Sequence, residues 1–298
     1  MNNVQQQLFG TQSFLAFTLD HRPIVGKPSA VLSNNVRVEL WDNGVLYFHP
    51  QDETLQNSLL LSVGVHGNET APIEIINQLV NDILAGKIMV KQNLLIVIAN
   101  PEAINAECRE VDENMNRLFS DYSMPKSSDS NERHRSRRLM EHSQTFFAAE
   151  ATRKIHYDLH TAIRGSFYKK FAISPNTVEV PATEYQYNVL GQWGIQAILS
   201  TQQKSPTYSA FTANACGATS FTVELGQVKP FGENDLDEFS SVIDGLVAAI
   251  SDDEDTSPTN TAVKRFSVAV EVVKKTEHFR LCFPIDTVNF TEFKIDQV

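Results

Sequence analysis

Apolar runs that alternate with helix-like segments constrain the fold of this chain most strongly. The runs SLLLSVGV and NLLIVIA are mostly apolar, which is typical of strands buried on both faces of a sheet, and TSFTVEL is a further predicted strand. The segment after the first run places its isoleucines and valines on one face of a helix. Because strands that alternate with helices form parallel or mixed sheets, the pattern predicts an α/β core whose mixed sheet is covered by helices.

The two ends of the chain differ from this core. The segments VRVELW and VLYF alternate in polarity around an Asp-Asn-Gly turn, which predicts a β-hairpin from Val36 to Phe48. Residues 251–260 are acidic and contain proline, as linkers do, and RFSVAVEVVKK, RLCFPI and VNFTEFKI beyond them resemble strands. We therefore expect an α/β domain at residues 1–252 and a small β-domain at residues 253–298.

The composition and net charge of the chain bear on which kinds of partner it binds. Hydrophobic residues make up 42% of the 298 residues and charged residues 20%, as in ordinary folded proteins. The formal net charge of −11 argues against a nucleic-acid or membrane partner, since both select for a broad basic patch. The start MNNVQQQLFGTQSF does not look like a secretory signal, and no run approaches the roughly 20 apolar residues of a membrane span. We expect a cytoplasmic protein, and the sequence leaves its oligomeric state open.

Candidate metal ligands lie at the ends of two predicted strands. His66 and Glu69 follow the first apolar run in a tight connection to a helix, and His160 follows the run IHYDL. Ligands bind at the carboxyl ends of strands in open α/β sheets, and catalytic zinc takes three protein ligands from His and Glu or Asp. A His-x-x-Glu pair alone is often structural. With His160 added, a zinc site and a structural arrangement stand as comparable alternatives.

Two carboxylates lie near these candidate ligands. Asp158 is two residues before His160 and shares its strand face, so it is placed to hold the free nitrogen of a zinc histidine, with His66 as the preferred partner. Glu224 lies near the end of TSFTVEL and is a candidate general base, which would pass a proton from water to a leaving amine. The alternatives are a buried Asp bonded to backbone groups and a Glu that caps the following loop.

The segment CREVDENMNRLF, residues 108–119, suits an anionic substrate. Arg109 offers positive charge to a developing oxyanion, where the loss of one donor typically costs about 2.7–4 kcal/mol. Asn116 and Arg117 are adjacent, and a guanidinium grips a carboxylate through two parallel hydrogen bonds. The alternative is a surface loop that forms its own salt bridges.

Four motifs together resemble a known family. GVHGNETAPIEI, NPEAINAECREVDENMNRLF, DLHTAIRGS and TVELGQVKPFGENDL occur in the order found in the succinylglutamate desuccinylase branch of the aspartoacylase group, from about residue 58 to residue 250. This group belongs to the zinc carboxypeptidase-like superfamily. The resemblance therefore implies a zinc carboxypeptidase-like mixed sheet covered by helices. Members tend to carry a longer C-terminal β-domain, so it also implies that residues 253–298 form an incomplete one.

The resemblance also implies an activity and a role for each site residue. The activity is zinc-dependent hydrolysis of N-succinyl-L-glutamate, a small anionic N-acyl amino acid, to succinate and L-glutamate, the last step of succinyl-dependent arginine breakdown. One zinc ion per chain is expected. The implied roles are zinc binding by His66, Glu69 and His160, proton transfer by Glu224, carbonyl polarisation by Arg109, and carboxylate binding by Asn116 with Arg117.

One further residue and three rival functions complete the expectations. Arg164 in HTAIRGS is placed to bind a second substrate carboxylate, and a structural arginine in the loop after the strand is its alternative.

The rival functions are an aspartoacylase-like deacylase of another N-acyl amino acid, a peptidase that trims C-terminal residues, and a non-catalytic zinc-binding protein. Glu224 and Arg109 argue against the last, because neither is needed merely to hold zinc.

Overall fold

The computed structural model describes residues 3–21, 24, 26–51, 57–120, 129–175, 181–201, 205–253, 262–272 and 274–294. Within these ranges ten strands form one mixed sheet in the order β1-β2-β3-β5-β4-β6-β9-β7-β8-β10. The strands are β1 Ser29–Val31, β2 Val36–Asp42, β3 Val45–Pro50, β4 Asn57–Val63, β5 Asn93–Ile98, β6 Arg153–Ala162, β7 Lys170–Pro175, β8 Ala197–Thr201, β9 Thr219–Gln227 and β10 Lys264–Ser267.

Helices cover both faces of this sheet. They are α1 Asn3–Phe9, α2 Phe14–Leu19, α3 Thr70–Leu84, α4 Pro101–Asn105, α5 Asn131–Phe147, α6 Glu184–Gln192, α7 Tyr208–Cys216 and α8 Ser240–Ile250, with 3-10 turns at Met115–Arg117 and Leu236–Phe239. Alternate residues of β4 and β5 point into two different cores, one packed against α3, α6 and α8 and the other against α5 and α7. The predicted mixed sheet covered by helices is confirmed.

The centre of the sheet is parallel, and this arrangement sets the position of the site. Strands β5, β4, β6 and β9 lie side by side in parallel, so their carboxyl ends meet at one edge. All seven residues of β4 and all six of β5 are buried, as the apolar runs predicted. The flanking strands β3 and β7 run antiparallel to β5 and β9 respectively.

Local sequence signals account for most element boundaries. The predicted hairpin is confirmed, since β2 and β3 pair antiparallel around Asn43 and Gly44. Helix α3 buries Ile73, Ile76 and Ile83 and ends just before Gly86, whose φ of +75° a glycine adopts readily. Helix α5 begins after Ser130, whose side chain accepts a hydrogen bond from the backbone N–H of Arg133, and ends at Phe147.

The C-terminal region differs from the predicted strands. Strand β10 covers Lys264 and only the first three residues of RFSVAVEVVKK, and it pairs in parallel with β8 at the edge of the main sheet. Within the described residues 280–285 and 288–294, RLCFPI and VNFTEFKI form no strand, so those two predictions were wrong. Most of the predicted linker, residues 254–261, lies outside the described residues. The division at residue 252 stays a prediction.

No helix in the described ranges is both long enough and apolar enough to cross a membrane.

Candidate active site

A tightly packed turn at the end of β4 presents the first two candidate ligands. His66 and Glu69 lie between the last residue of β4 and the first residue of α3. A Cβ atom on Gly67 would lie 2.1 Å from the backbone carbon of Ala103 in α4, so no larger residue fits there without a shift of backbone. Gly64 has a φ of +66°, which favours glycine. Close packing against α4 therefore fixes the turn that carries both side chains.

Three predicted ligands converge at the carboxyl ends of β4 and β6. His66 Nδ1 lies 2.9 Å from Glu69 Oε1, and His160 Nδ1 lies 2.8 Å from Glu69 Oε2. One donor atom from each residue lies within 4.8 Å of the other two, and all three residues are buried. Glu69 Oε1 is the polar atom that faces the buried His66 Nδ1, as Glu69 Oε2 faces His160 Nδ1. Two imidazoles and a carboxylate are a donor set that zinc accepts, so these residues fit the ion.

The outer nitrogen of each histidine contacts an oxygen. His66 Nε2 donates to Asn114 Oδ1 at 3.1 Å, and His160 Nε2 donates to Asp158 Oδ2 at 2.9 Å. These bonds orient both rings so that Nδ1 faces Glu69. An imidazole that donates through Nε2 also keeps the lone pair of Nδ1 for a metal. The prediction that Asp158 holds His66 was wrong. Asp158 contacts His160 instead, because both side chains project from the same face of β6.

The charges of the three donors are tightly coupled. Burial opposes ionisation of Glu69, but His160 and His66 outweigh it and hold the pKa of Glu69 well below its usual value. Burial likewise disfavours the charged form of His160, yet Asp158 and Glu69 outweigh it and raise the pKa of His160. A cation bound at Nδ1 would take the place of the proton that His160 otherwise shares with Glu69, as metal binding releases protons from its ligands.

Glu224 lies beside this cluster on the adjacent strand. In the parallel register of β6 and β9 its Cα is the partner of the Cα of His160. Its Oε2 atom is buried and has no hydrogen-bond partner in the described structure. Burial, with help from the Glu69 and Asp158 carboxylates and against the effect of His160, raises the pKa of Glu224 to about 7. A carboxyl group with a pKa near neutrality can both accept and return a proton.

Arg109 lies close to the donor cluster, but its contact differs from the expected one. Its Nη1 donates to Glu69 Oε1 at 2.7 Å, and its backbone carbonyl accepts from the N–H of Gly67 at 3.3 Å. The side chain is 29% exposed and lines the same cleft as Glu224. Arg109 therefore ties its own loop to the turn that carries His66 and Glu69, and it has further N–H groups available for a ligand.

The predicted carboxylate-binding residues all line the cleft. The Asn116 side chain accepts from the backbone N–H of Tyr208 at 3.0 Å, and Arg117 Nη1 donates to the Asn116 carbonyl at 2.8 Å. Arg164 is exposed in the loop after β6 and lines the same cleft. Neither Arg117 nor Arg164 forms an ion pair with a carboxylate in the described part of the chain. Both guanidinium groups are thus available to an anionic ligand.

With this geometry established, comparison with known proteins identifies the family. Residues 56–250 match the family model described as the succinylglutamate desuccinylase/aspartoacylase catalytic domain. This chain belongs to that family. The succinylglutamate desuccinylase of Shewanella amazonensis is 38% identical to it over 96% of this chain and 85% of its own length. That of Shewanella frigidimarina is 37% identical, with the same two shares covered.

Solved structures agree with this assignment. The succinylglutamate desuccinylase structure from Vibrio parahaemolyticus superposes with a TM-score of 0.89 at 33% identity, over 96% of this chain and 83% of its own. The one from Chromobacterium violaceum gives a TM-score of 0.85 at 34% identity, over 94% and 86%. The desuccinylase/aspartoacylase fold is therefore present along nearly the whole chain, including the segments on both sides of residues 56–250.

The cleft of this family member has an apolar wall that sequence reasoning missed. The cleft measures about 880 Å³, and side chains from β7, β8, β10 and the C-terminal segment form one side of it: Phe171, Ile173, Leu199, Phe266 and Phe290. Strands β7 and β8 were not predicted. The only available signal was the alternation of apolar and other residues in KKFAISP, directly after the motif that contains His160.

Proposed function

We propose that this chain hydrolyses the amide bond of N-succinyl-L-glutamate to succinate and L-glutamate. One structural observation carries the proposal: a single cleft holds a three-residue metal-donor set, a carboxyl group with a pKa of about 7, and two arginines without carboxylate partners among the described residues. The relatives named succinylglutamate desuccinylase support the choice of substrate.

In this proposal one zinc ion per chain is held by His66, Glu69 and His160. The support is the donor chemistry, the burial of all three residues, and the close approach of the three donor atoms. When bound, zinc would polarise the scissile carbonyl and make water more acidic. Asp158 and Asn114 keep the two imidazoles oriented through their outer nitrogens.

Glu224 is the proposed proton carrier. Its Oε2 atom has no hydrogen-bond partner among the described groups, so it is available to accept a proton from the attacking water. The same carboxyl then returns that proton to the departing nitrogen of glutamate, which leaves as a neutral amine. A pKa near 7 suits both steps, because proton transfer in either direction then costs little free energy.

The arginines give the cleft its preference for anions. Arg109 is proposed to donate to the carbonyl oxygen as negative charge develops there, using N–H groups that do not contact Glu69. Arg117 with Asn116, and separately Arg164, are proposed to bind different carboxylates of the substrate. N-Succinylglutamate carries three carboxylates, so it can engage more than one cationic group of the cleft.

A substrate panel tests this proposal. The metal-loaded protein would be assayed for amino-acid release from N-succinyl-L-glutamate, N-acetyl-L-glutamate and N-acetyl-L-aspartate under identical conditions. We expect the highest kcat/KM for N-succinyl-L-glutamate, by about tenfold or more, since a lost charge-assisted bond costs about 1.5–3 kcal/mol. Equal or faster release of aspartate from N-acetyl-L-aspartate would favour the aspartoacylase-like alternative instead.

A further inference from the structure

A chain of buried polar side chains runs through the sheet beneath the metal-donor cluster. His156, Asp158 and His160 alternate along β6 and so project from the same face, and Ser62 of β4 is the register partner of Asp158. The side chains of Ser62, His156 and Asp158 are completely buried. Such polar groups are costly in a sheet interior unless each is hydrogen-bonded, which makes their pairing informative.

Short hydrogen bonds link these residues in sequence. Asp158 Oδ2 accepts from His160 at 2.9 Å, and Asp158 Oδ1 accepts from the Ser62 hydroxyl at 2.5 Å. Ser62 Oγ lies 2.8 Å from His156 Nε2. On the far side of the ring, His156 Nδ1 lies 2.7 Å from Thr212 Oγ1 in α7. The Asp158 carboxylate that orients His160 is thus itself held by Ser62, and Ser62 is in turn bonded to His156.

The number of protons on each group determines which atom donates in the hydrogen bonds of Ser62. Ser62 has one hydroxyl proton, and Asp158 accepts it, so the bond between Ser62 and His156 must be donated by His156 Nε2. Burial lowers the pKa of His156 to about 4, so the ring is neutral and its Nδ1 is an acceptor that faces Thr212 Oγ1, whose hydroxyl also lies 3.0 Å from the Ser209 carbonyl. The N–H and O–H donors of His156, Ser62 and His160 therefore all point toward Asp158, an arrangement in which successive hydrogen bonds strengthen one another.

We infer that Ser62 and His156 are positioning residues of the metal centre, which hold the Asp158 carboxylate so that His160 presents Nδ1 to the ion. The inference rests on the proposed metal site. Without the Ser62 hydroxyl, Asp158 Oδ1 becomes a buried acceptor with no donor, and the carboxylate is free to rotate away from His160. Loss of such outer partners typically weakens metal binding 10- to 100-fold.

Zinc affinity of the metal-stripped protein tests the inference without any substrate. Competition with a chromophoric chelator would give the zinc dissociation constant of wild-type, Ser62→Ala, His156→Leu and His156→Gln protein. We expect about 10- to 100-fold weaker binding for Ser62→Ala and His156→Leu. His156→Gln retains an N–H donor near the position of Nε2, so its affinity should lie close to that of the wild type. Affinities of Ser62→Ala and His156→Leu within twofold of wild type would overturn the inference.

Two serine variants separate positioning from general stability. Ser58 lies four residues before Ser62 on the same face of β4, and its buried hydroxyl has no partner among the described residues. Ser143 bonds to the carbonyl of Leu139 and to the hydroxyl of Tyr208, whose ring packs against His156, so Ser143→Ala removes a buried hydrogen bond near the chain without removing a donor to Asp158. Ser58→Ala and Ser143→Ala should keep wild-type zinc affinity, although Ser143→Ala should lower the unfolding temperature. A similar loss of affinity in Ser143→Ala would refute a specific role for Ser62.

A measurement on the wild-type protein decides the matter even if the variants fail to fold. Nitrogen-15 NMR of the zinc-loaded protein reports which ring nitrogen of His156 carries the proton. The donor direction requires a neutral ring protonated at Nε2. A ring protonated at Nδ1 would need Ser62 to donate to His156 instead of Asp158, which would overturn the inference. Neither measurement depends on hydrolysis, so a wrong substrate assignment would leave both results interpretable.

Discussion

Replacement of Glu224 by glutamine removes the proposed proton carrier while it changes little else. Glutamine has nearly the same volume, and Glu224 donates no atom to the His66, Glu69 and His160 cluster. General acid–base catalysis contributes typically 10²–10⁴-fold, so kcat should fall by that factor, equivalent to about 2.7–5.4 kcal/mol of transition-state stabilisation. Zinc content should remain about one per chain, since all three donors are retained.

The pH dependence of Glu224→Gln sharpens this prediction. Glu224 must be ionised to accept a proton, and its pKa is raised to about 7 by burial, an effect that a bound cation would reduce. The wild-type rate should therefore fall as the pH drops through a value at or below 7, and the residual rate of the variant should lack this acidic limb. The assay is glutamate release from N-succinyl-L-glutamate at saturating substrate, with exposed Glu150→Gln as control. A variant with full metal content and normal turnover would remove Glu224 from its proposed role.

Three further predictions concern other parts of the molecule. Gly67→Ala should weaken zinc binding and lower the unfolding temperature, because its Cβ would lie 2.1 Å from the backbone of α4; unchanged values of both would contradict the tight turn. Arg164→Ala should raise KM for N-succinyl-L-glutamate about 10-fold or more with a smaller effect on kcat, and an unchanged KM would exclude it from carboxylate binding. Burial opposes ionisation of Asp42, but His142 and Arg135 outweigh it and lower its pKa, so Asp42 stabilises the fold above the unfolded-state pKa. That stabilisation should disappear as the pH falls through the lowered pKa, and urea unfolding of metal-free Asp42→Asn should show a weaker loss on acidification than wild type.

The metal-donor set was predictable from sequence because each ligand follows a signal that is local. His66 and His160 come directly after apolar runs, and parallel strands bring their carboxyl ends to one edge. Glu224 followed the same logic, since β9 lies next to β6. The sequence therefore predicted the central strands and the residues at their ends.

Contacts that depend on side-chain direction were harder to predict from the sequence. Asp158 was assigned to His66, yet residues two apart on one strand point the same way, and this favours His160. The apolar wall depends on how β7, β8 and β10 pair with one another and with β9. The local patterns in KKFAISP and RFSVAVEVVKK favour strands but do not show which strands they join. Ser62 and His156 were overlooked for a related reason, because their link exists only once β4 and β6 are aligned.

Zinc-dependent release of glutamate tests the central claim most directly. Metal-stripped protein would be titrated with zinc while the hydrolysis of N-succinyl-L-glutamate is followed, with His160→Ala in parallel. We predict that activity is absent without metal, rises in proportion to added zinc and saturates at about one zinc per chain, whereas His160→Ala stays inactive at that ratio. Full hydrolysis by the metal-stripped protein, or full activity of His160→Ala at one zinc per chain, would contradict the proposed site.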